Sequence, residues 1–185
     1  MRRPLVALLA TTSLLVAQAF AALPNGSQAP LFTTQASMGG QVFEFSLADA
    51  LKKGPVVLYF YPAAFTTGCT EEAHRFAEAT DKFHALGATV IGVSHDKIDK
   101  LNKFSVSECR SKFAVASDAD GKIIKSYDAR MAVVSAMTGY SNRISYVIAP
   151  TGEVLYSYAA LSPDKHVENS LAAVQKWRDA HPPKG

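Results

Sequence analysis

Long apolar runs, rich in β-branched and aromatic side chains, occur at three places in the chain. They span residues 56–61, 88–94 and 144–148. Runs of this kind predict strands that are buried on both faces of a sheet. The third run is followed by the turn residues 150–152 and by a further apolar run, 154–156, which together predict an antiparallel hairpin.

Between these runs, apolar residues recur at the spacing of amphipathic helices. The first helix is expected over residues 70–86. The second begins near Ile98 and carries Cys109 three turns later. The third lies near the C terminus, with Ser162 as its cap and Pro163 in its first helical position. Its buried stripe is expected to consist of Val167, Leu171 and Val174.

Strands that alternate with helices predict an α/β fold: a central mixed sheet flanked by helices, parallel at its centre, with an antiparallel edge. This layout resembles the thioredoxin fold. In such sheets, reactive groups gather beyond the carboxyl ends of the central strands, where a loop enters a helix. Cys69 occupies such a position, because it follows the first predicted strand and the turn residues Pro62 and Gly68.

The first 21 residues differ from the rest. A basic start, Met1-Arg2-Arg3, precedes a mainly apolar stretch that ends in Ala19-Phe20-Ala21. This order predicts a secretory signal over residues 1–21, cleaved near Ala21, and one mature domain over residues 22–185. A transmembrane anchor or a first core helix are the alternatives, but the apolar stretch is short for a membrane span. The expected location is periplasmic or secreted, and the export route stays open.

Composition narrows the function classes. The chain has 185 residues, 48% of them hydrophobic and 19% charged, which is ordinary for one globular domain. Loss of Arg2 and Arg3 with the signal would leave the remaining Lys and Arg almost balanced by 16 Asp and Glu. No stripe of Lys and Arg is present, so nucleic-acid binding is not expected. The five histidines lack metal-ligand spacing, and no cofactor motif occurs; neither a metal nor a cofactor is expected.

Two cysteines, Cys69 and Cys109, lie in the predicted mature domain. In an oxidising compartment, a pair of cysteines often forms one structural disulfide. A thiol in the first turn of a helix, however, faces unpaired N–H groups and the positive end of the helix dipole, and both favour the thiolate. Thiolate formation alone does not make a fast catalyst, because the site also needs hydrogen-bond donors directed at the atom on which charge develops in the reaction.

The segment Pro62-x-x-x-Thr66-x-x-Cys69 resembles the active-site signature of the peroxiredoxins, and Thr70, Glu72 and Phe76 resemble their bacterioferritin comigratory protein or peroxiredoxin Q branch. Three more segments match in order: Gly26-x-x-Ala29-Pro30-x-Phe32, Ser117-Asp118-x-Asp120-Gly121, and Arg143-x-Ser145-Tyr146-Val147-Ile148.

The resemblance implies a thioredoxin-like fold with an N-terminal extension and a thiol peroxidase that acts on hydrogen peroxide or organic hydroperoxides. By it, Cys69 would attack the peroxide and become a sulfenic acid. Thr66 would orient the peroxide, Pro62 would shield the pocket, and Arg143 would stabilise both the thiolate and the transition state. Considered alone, Glu72 could simply complement the dipole of its helix.

The chain also departs from the family pattern. Thr67 replaces a second proline, and His74 stands where some relatives have a resolving cysteine. Some relatives place that cysteine in the following helix, so Cys109 is predicted to resolve Cys69 as an intramolecular disulfide. Its polar sequence neighbours favour a reachable thiol, although a small buried hydrophobe is the alternative. His166 and Trp177 are interpreted as packing or surface residues.

The expected partners are a peroxide and a thioredoxin-like protein reductant, and the protein is expected to be a monomer or a homodimer without stable membrane insertion. Two rival functions differ from this prediction. A thioredoxin-type disulfide oxidoreductase needs Cys-x-x-Cys, but Thr66 stands at the first position. A non-catalytic secreted domain would instead hold Cys69 and Cys109 in a permanent disulfide.

Overall fold

The structure, a computed structural model, describes residues 22–131 and 138–182. A seven-stranded sheet forms its centre, in the spatial order β2-β1-β5-β4-β3-β6-β7. The strands are β1 Thr33–Met38, β2 Gln41–Ser46, β3 Val56–Phe60, β4 Thr89–Ser94, β5 Ala114–Ser117, β6 Ile144–Ile148 and β7 Val154–Ala159. The helices are α1 Leu47–Leu51, α2 Thr67–Ala85, α3 Ile98–Ser107, α4 Lys122–Ser126 and α5 His166–Ala180.

The sheet is mixed, as predicted. Strand β4 pairs parallel with β3 on one side and with β5 on the other. The remaining pairings, including the β6–β7 hairpin, are antiparallel. Every residue of β3, β5 and β6 is buried, because helices or loops cover both faces of the sheet at its centre.

Two apolar clusters fill the space on the two sides of the sheet. One includes Leu47, Phe60 and Tyr146. The other contains residues of α2, α3 and α5, among them Cys69, and it also includes Cys109. Strand β3 contributes alternate side chains to the two clusters, as expected for a strand buried on both faces.

The N-terminal extension is the β1–β2 hairpin followed by α1. Its turn consists of Gly39 and Gly40, both with positive φ, which is the geometry that a two-residue hairpin turn requires. Strand β1 joins the sheet by antiparallel pairing with β5. The sequence did not predict this hairpin. Most of its residues are exposed or half-buried, so its strands have no continuous apolar run.

Three helix boundaries differ from the prediction. Helix α2 begins at Thr67 rather than at Thr70. Helix α5 begins at His166 rather than at Pro163, and the Ser162 hydroxyl donates to Asp164 instead of capping the helix. Helix α3 ends at Ser107, so Cys109 lies in the turn that follows it. The predicted signal, residues 1–21, lies outside the described residues. None of the described helices has both the length and the apolarity that a membrane crossing requires.

Candidate active site

Cys69 lies where the chain leaves the centre of the sheet and enters α2. Strand β3 ends at Phe60, a short loop follows, and Thr66 takes the N-cap position with extended backbone angles. The carbonyl of Thr66 accepts the first helical hydrogen bond, from the N–H of Thr70 at 2.9 Å. Cys69 is therefore the third residue of the helix, within the first turn, whose N–H groups have no helical acceptor. This confirms the position predicted for the thiol.

Arg143 reaches Cys69 from the neighbouring strand. Phe60 of β3 pairs with Ile144 of β6, so the residue before β6 lies at the same sheet edge as the carboxyl end of β3. Arg143 is only 5% exposed, and its Nη2 lies 3.5 Å from the Cys69 sulfur. A Cβ at Gly68 would lie 3.2 Å from Nη2, so the absence of a side chain there lets the guanidinium lie close to the helix.

All three nitrogens of the Arg143 guanidinium have partners. Nε donates to the carbonyl of Leu161 at 2.8 Å, Nη1 donates to Glu72 Oε2, and Nη2 faces the Cys69 sulfur. Burial opposes the charge of Arg143, but the nearby Glu72 and Cys69 more than compensate and raise its pKa. The guanidinium is thus a fixed positive charge shared between a carboxyl group and a thiol.

Glu72 and His166 extend this network into the core. Both side chains are fully buried, and His166 Nδ1 lies 3.7 Å from Glu72 Oε1. Burial raises the pKa of Glu72 to about 8, although Arg143 opposes the shift. Burial lowers the pKa of His166 to about 4. His166 is thus no surface residue: it lies beside Glu72, the partner of Arg143. For Glu72, two signals were present in the sequence: its place in the family resemblance and its spacing from Cys69, which puts both residues on one helix face.

The loop before Cys69 is held by its own contacts. The Thr66 hydroxyl donates to the carbonyl of Ala63 at 3.0 Å, and Pro62 is half-buried. Asp96, which follows β4, accepts the N–H of Ala64 at 2.7 Å and so fixes the loop from the side. Phe65 has a φ of 67°, a left-handed conformation that bulky residues rarely adopt. Sequence reasoning missed the role of Asp96.

Cys109 is reduced and completely buried, as is Cys69. Its side chain joins the apolar cluster of Leu101, Phe104 and Phe113. Burial, with a smaller contribution from Glu108, raises the pKa of the Cys109 thiol far above its ordinary value. The expectation of a reachable thiol is therefore wrong for this reduced state. Its neighbours along the chain are polar, but they point outward while the thiol points inward.

Known proteins resemble this arrangement in sequence and fold. The sequence profile of the AhpC/TSA family matches residues 25–157. Chloroplastic peroxiredoxin Q of Sedum lineare is 33% identical over 160 residues, which cover 86% of this chain and 82% of that protein. The chain belongs to the AhpC/TSA family.

Two mycobacterial proteins agree with this assignment. A putative peroxiredoxin of Mycobacterium tuberculosis is 31% identical, over 76% of this chain and 97% of that protein. The crystal structure of peroxidoxin BcpB from Mycobacterium tuberculosis has a TM-score of 0.73 and 28% identity, over 82% of this chain and 96% of that one. The predicted family and thioredoxin-like fold are confirmed, and this peroxiredoxin is a peroxidase, an oxidoreductase.

Within residues 22–131 and 138–182 of this peroxiredoxin, no three His, Cys, Asp or Glu side chains are grouped to hold a metal ion. The structure brings Cys69 and Arg143 into contact and places Thr66 and Pro62 in the adjoining loop. Cys109 belongs to the same apolar cluster but lies on a different element.

Proposed function

We propose that Cys69 is the residue of this peroxiredoxin that reacts with peroxide. The observation that carries the proposal is the 3.5 Å approach of the buried Arg143 guanidinium to the Cys69 sulfur at the start of α2. The positive charge and the unpaired N–H groups of the first turn both stabilise an anion on sulfur.

In the proposed reaction, the Cys69 thiolate attacks the terminal oxygen of hydrogen peroxide or of an organic hydroperoxide. An S–O bond forms, the O–O bond breaks, and the sulfur is oxidised to a sulfenic acid. The other oxygen leaves with the bonding electrons and takes up a proton to become water or an alcohol. Charge develops on this leaving oxygen, where Arg143 is the fixed cation available to stabilise it.

Thr66 and Pro62 have supporting roles in this proposal. The Thr66 side chain is exposed and lies one helical turn before Cys69, so its hydroxyl can turn from the Ala63 carbonyl to a bound peroxide. Pro62 lies in the loop that follows β3 and limits the access of water to the thiolate. The two residues orient the substrate and exclude solvent rather than exchange electrons.

Cys109 is proposed as the resolving residue. Its thiol condenses with the Cys69 sulfenic acid, which releases water and forms a disulfide. A dithiol protein of the thioredoxin type then reduces the disulfide and is itself oxidised. Both thiols belong to one apolar cluster, which supports the pairing, but Cys109 is completely buried. Closure of the disulfide therefore requires the turn after α3 to open first.

Paired cysteine variants test this assignment. Cys69→Ser is expected to abolish peroxide consumption, whereas Cys109→Ser is expected to consume one equivalent of peroxide and then stop as a sulfenic acid. Rapid mixing with peroxide, followed by mass spectrometry of the trapped products, distinguishes these species. Stoichiometric peroxide loss in Cys69→Ser would refute the role of Cys69. An unchanged turnover of Cys109→Ser with a dithiol reductant would show that Cys109 only packs.

Export to the periplasm or beyond is also proposed, and it is supported by the basic, apolar and small-residue pattern of residues 1–21. The word chloroplastic in the names of the plant relatives describes those proteins and lends this location no support. Sequencing of the N terminus of the protein from fractionated cells is the test. A chain that begins near Ala22 in the exported fraction is expected, and an intact Met1 chain in the cytosol would contradict the proposal.

A further inference from the structure

A buried polar network continues behind Arg143, away from the thiol. Glu72 of α2, Ser145 of β6 and His166, the first residue of α5, are all completely buried. His166 thus connects α5 to the network that ends at Cys69, and it lies nine residues beyond the segment, residues 25–157, that the family profile matches. Three titratable groups face the His166 ring: Glu72, Arg143 and Tyr158. The ring centroids of Tyr158, in β7, and His166 are 4.8 Å apart.

The contacts of His166 determine where its proton lies. Nε2 is 2.9 Å from the carbonyl oxygen of Ala160, and because a carbonyl only accepts, Nε2 carries a hydrogen. Nδ1 is 2.8 Å from the Ser145 hydroxyl. Burial lowers the pKa of His166, so the ring is neutral near pH 7 and Nδ1 accepts from Ser145.

This arrangement leaves one oxygen of Glu72 without a donor. Oε2 accepts from Arg143, but Oε1 faces the unprotonated Nδ1 at 3.7 Å and makes no hydrogen bond with any described residue. A buried carboxylate oxygen without a donor disfavours the ionised form. The neutral acid is therefore favoured, and it competes weakly for the positive charge of Arg143.

His166 also fixes the chain segment that positions Arg143. The Ala160 carbonyl accepts from His166, and the Ala160 N–H donates to the Arg143 carbonyl at 3.2 Å. The next carbonyl, that of Leu161, accepts from Arg143 Nε. His166 therefore contacts both groups that hold the guanidinium: the Glu72 carboxyl group and the segment of Ala160 and Leu161.

We propose that His166 is a positioning residue for the reactive thiol. It anchors the segment that orients Arg143 and withholds a hydrogen-bond donor from Glu72, so that the guanidinium charge is available to the Cys69 sulfur. The inference rests on the proposed reaction of Cys69 as a thiolate. His166 acts through Arg143 and Glu72 and takes no part in the transfer of electrons or oxygen.

The test is the pH profile of Cys69 alkylation by iodoacetamide, measured by mass spectrometry of the Cys69 peptide. His166→Gln supplies an amide donor to Glu72 and is expected to move the profile upward by about one pH unit, so that alkylation near neutral pH is about tenfold slower. In a Glu72→Gln background, the same change is expected to move the profile by much less, because the carboxyl group is then absent and only the contact of residue 166 with the Ala160 carbonyl is altered. Ser170→Ala is the matched control, because Ser170 is equally buried one turn further along α5.

An unchanged profile in folded His166→Gln, or the same shift in the Glu72→Gln background, would overturn the proposal. If the variant does not fold, nitrogen-15 NMR of the native protein decides the matter: a neutral His166 ring protonated on Nε2 is expected, and protonation on Nδ1 would refute it. Alkylation needs no peroxide. A protein that shows the shift but consumes no peroxide would therefore contradict the proposed function and leave this inference intact.

Discussion

At the scale of single residues, the core of this peroxiredoxin holds two ionisable neighbours whose pKa values move in opposite directions. The Glu72 pKa rises from 4.5 to about 8, so the folded state holds the proton more tightly, and this contribution to stability declines as pH rises across that window. The His166 pKa falls from 6.5 to about 4, so its contribution improves with rising pH up to 6.5. Above pH 6.5, only the Glu72 contribution to stability changes, and it falls as pH rises.

Glu72→Gln is accordingly expected to flatten the pH dependence of the free energy of unfolding between about pH 6.5 and 8. The native protein should lose up to about 1.4 kcal/mol per pH unit in this window. Urea denaturation at a series of pH values measures the slope. Glu71→Gln, at an exposed position of the same helix, is the control. A slope that persists in Glu72→Gln would assign the effect to another group.

Tyr59 provides a second prediction at this scale. Its ring stacks on Phe76, and its hydroxyl is buried without a hydrogen bond to any described residue. Removal of an unsatisfied buried hydroxyl relieves its desolvation cost, so Tyr59→Phe should stabilise the protein by about 1 kcal/mol. Tyr127→Phe is the contrast, because that hydroxyl donates to the Pro30 carbonyl at 2.8 Å and its loss should destabilise. Thermal denaturation of both variants gives the comparison, and a destabilised Tyr59→Phe would contradict the reasoning.

At the scale of elements, three polar side-chain pairs, two of them ion pairs, join one face of α2 to the turn that contains Cys109, residues 108–112. The contacting atoms are 2.9, 3.1 and 3.4 Å apart. Arg110 and Ser111 have φ values of 50° and 56° in this turn, a conformation that non-glycine residues adopt at a cost. The turn is thus an unfavourable local conformation held by contacts with a neighbouring helix. The pairs are His74–Glu108, Glu78–Arg110 and Asp81–Lys112.

Removal of these pairs should make the turn open more often. An exposed pair contributes only about 0.2–1 kcal/mol, so Glu78→Ala combined with Asp81→Ala should accelerate disulfide formation several-fold after Cys69 is oxidised. High salt should have a similar effect on the native protein, because it screens exposed charges. Quenched-flow trapping of the disulfide measures the rate. Arg75→Ala, which breaks ion pairs to Glu71 and Asp164 instead, should leave it unchanged.

The sequence predicted elements with long apolar runs better than elements defined by their surroundings. Strands β3, β4 and β6 lie within one residue of their predicted ends, because burial on both faces requires a continuous run. The cap signal of Ser162 and Pro163 misplaced the start of α5, since the Ser162 hydroxyl has another partner, Asp164.

The same contrast applies to the candidate site. The approach of Arg143 to Cys69 was expected from the family resemblance, as 74 residues separate the two along the chain. His166 gave no signal, because nothing in its local sequence shows that it is buried beside a carboxyl group. The burial of Cys109 was not predicted either. Cys109 lies in an irregular turn, where no periodic pattern of apolar residues indicates which side chains point into the core.

At the scale of the whole molecule, the two redox states should differ in stability. The reduced protein buries both thiols in a packed core, and in the proposed cycle the turn after α3 opens before a disulfide joins them. We expect the oxidised protein to unfold at a lower urea concentration and to exchange amide hydrogens faster over residues 105–112. Hydrogen exchange with mass spectrometry on both states is the measurement. Equal protection of this segment would show that the thiols meet without opening.

The burial of Cys109 has a further consequence for how the rate of the enzyme depends on peroxide concentration. If opening of the turn limits each cycle, the output of the enzyme reaches a ceiling that more peroxide does not raise. In the proposed reaction, a second peroxide molecule would above that ceiling reach the Cys69 sulfenic acid before the Cys109 thiol does, and the sulfur would be oxidised to the sulfinic acid. The fraction of permanently inactivated molecules would then increase with the time during which peroxide oxidises Cys69 faster than the turn opens.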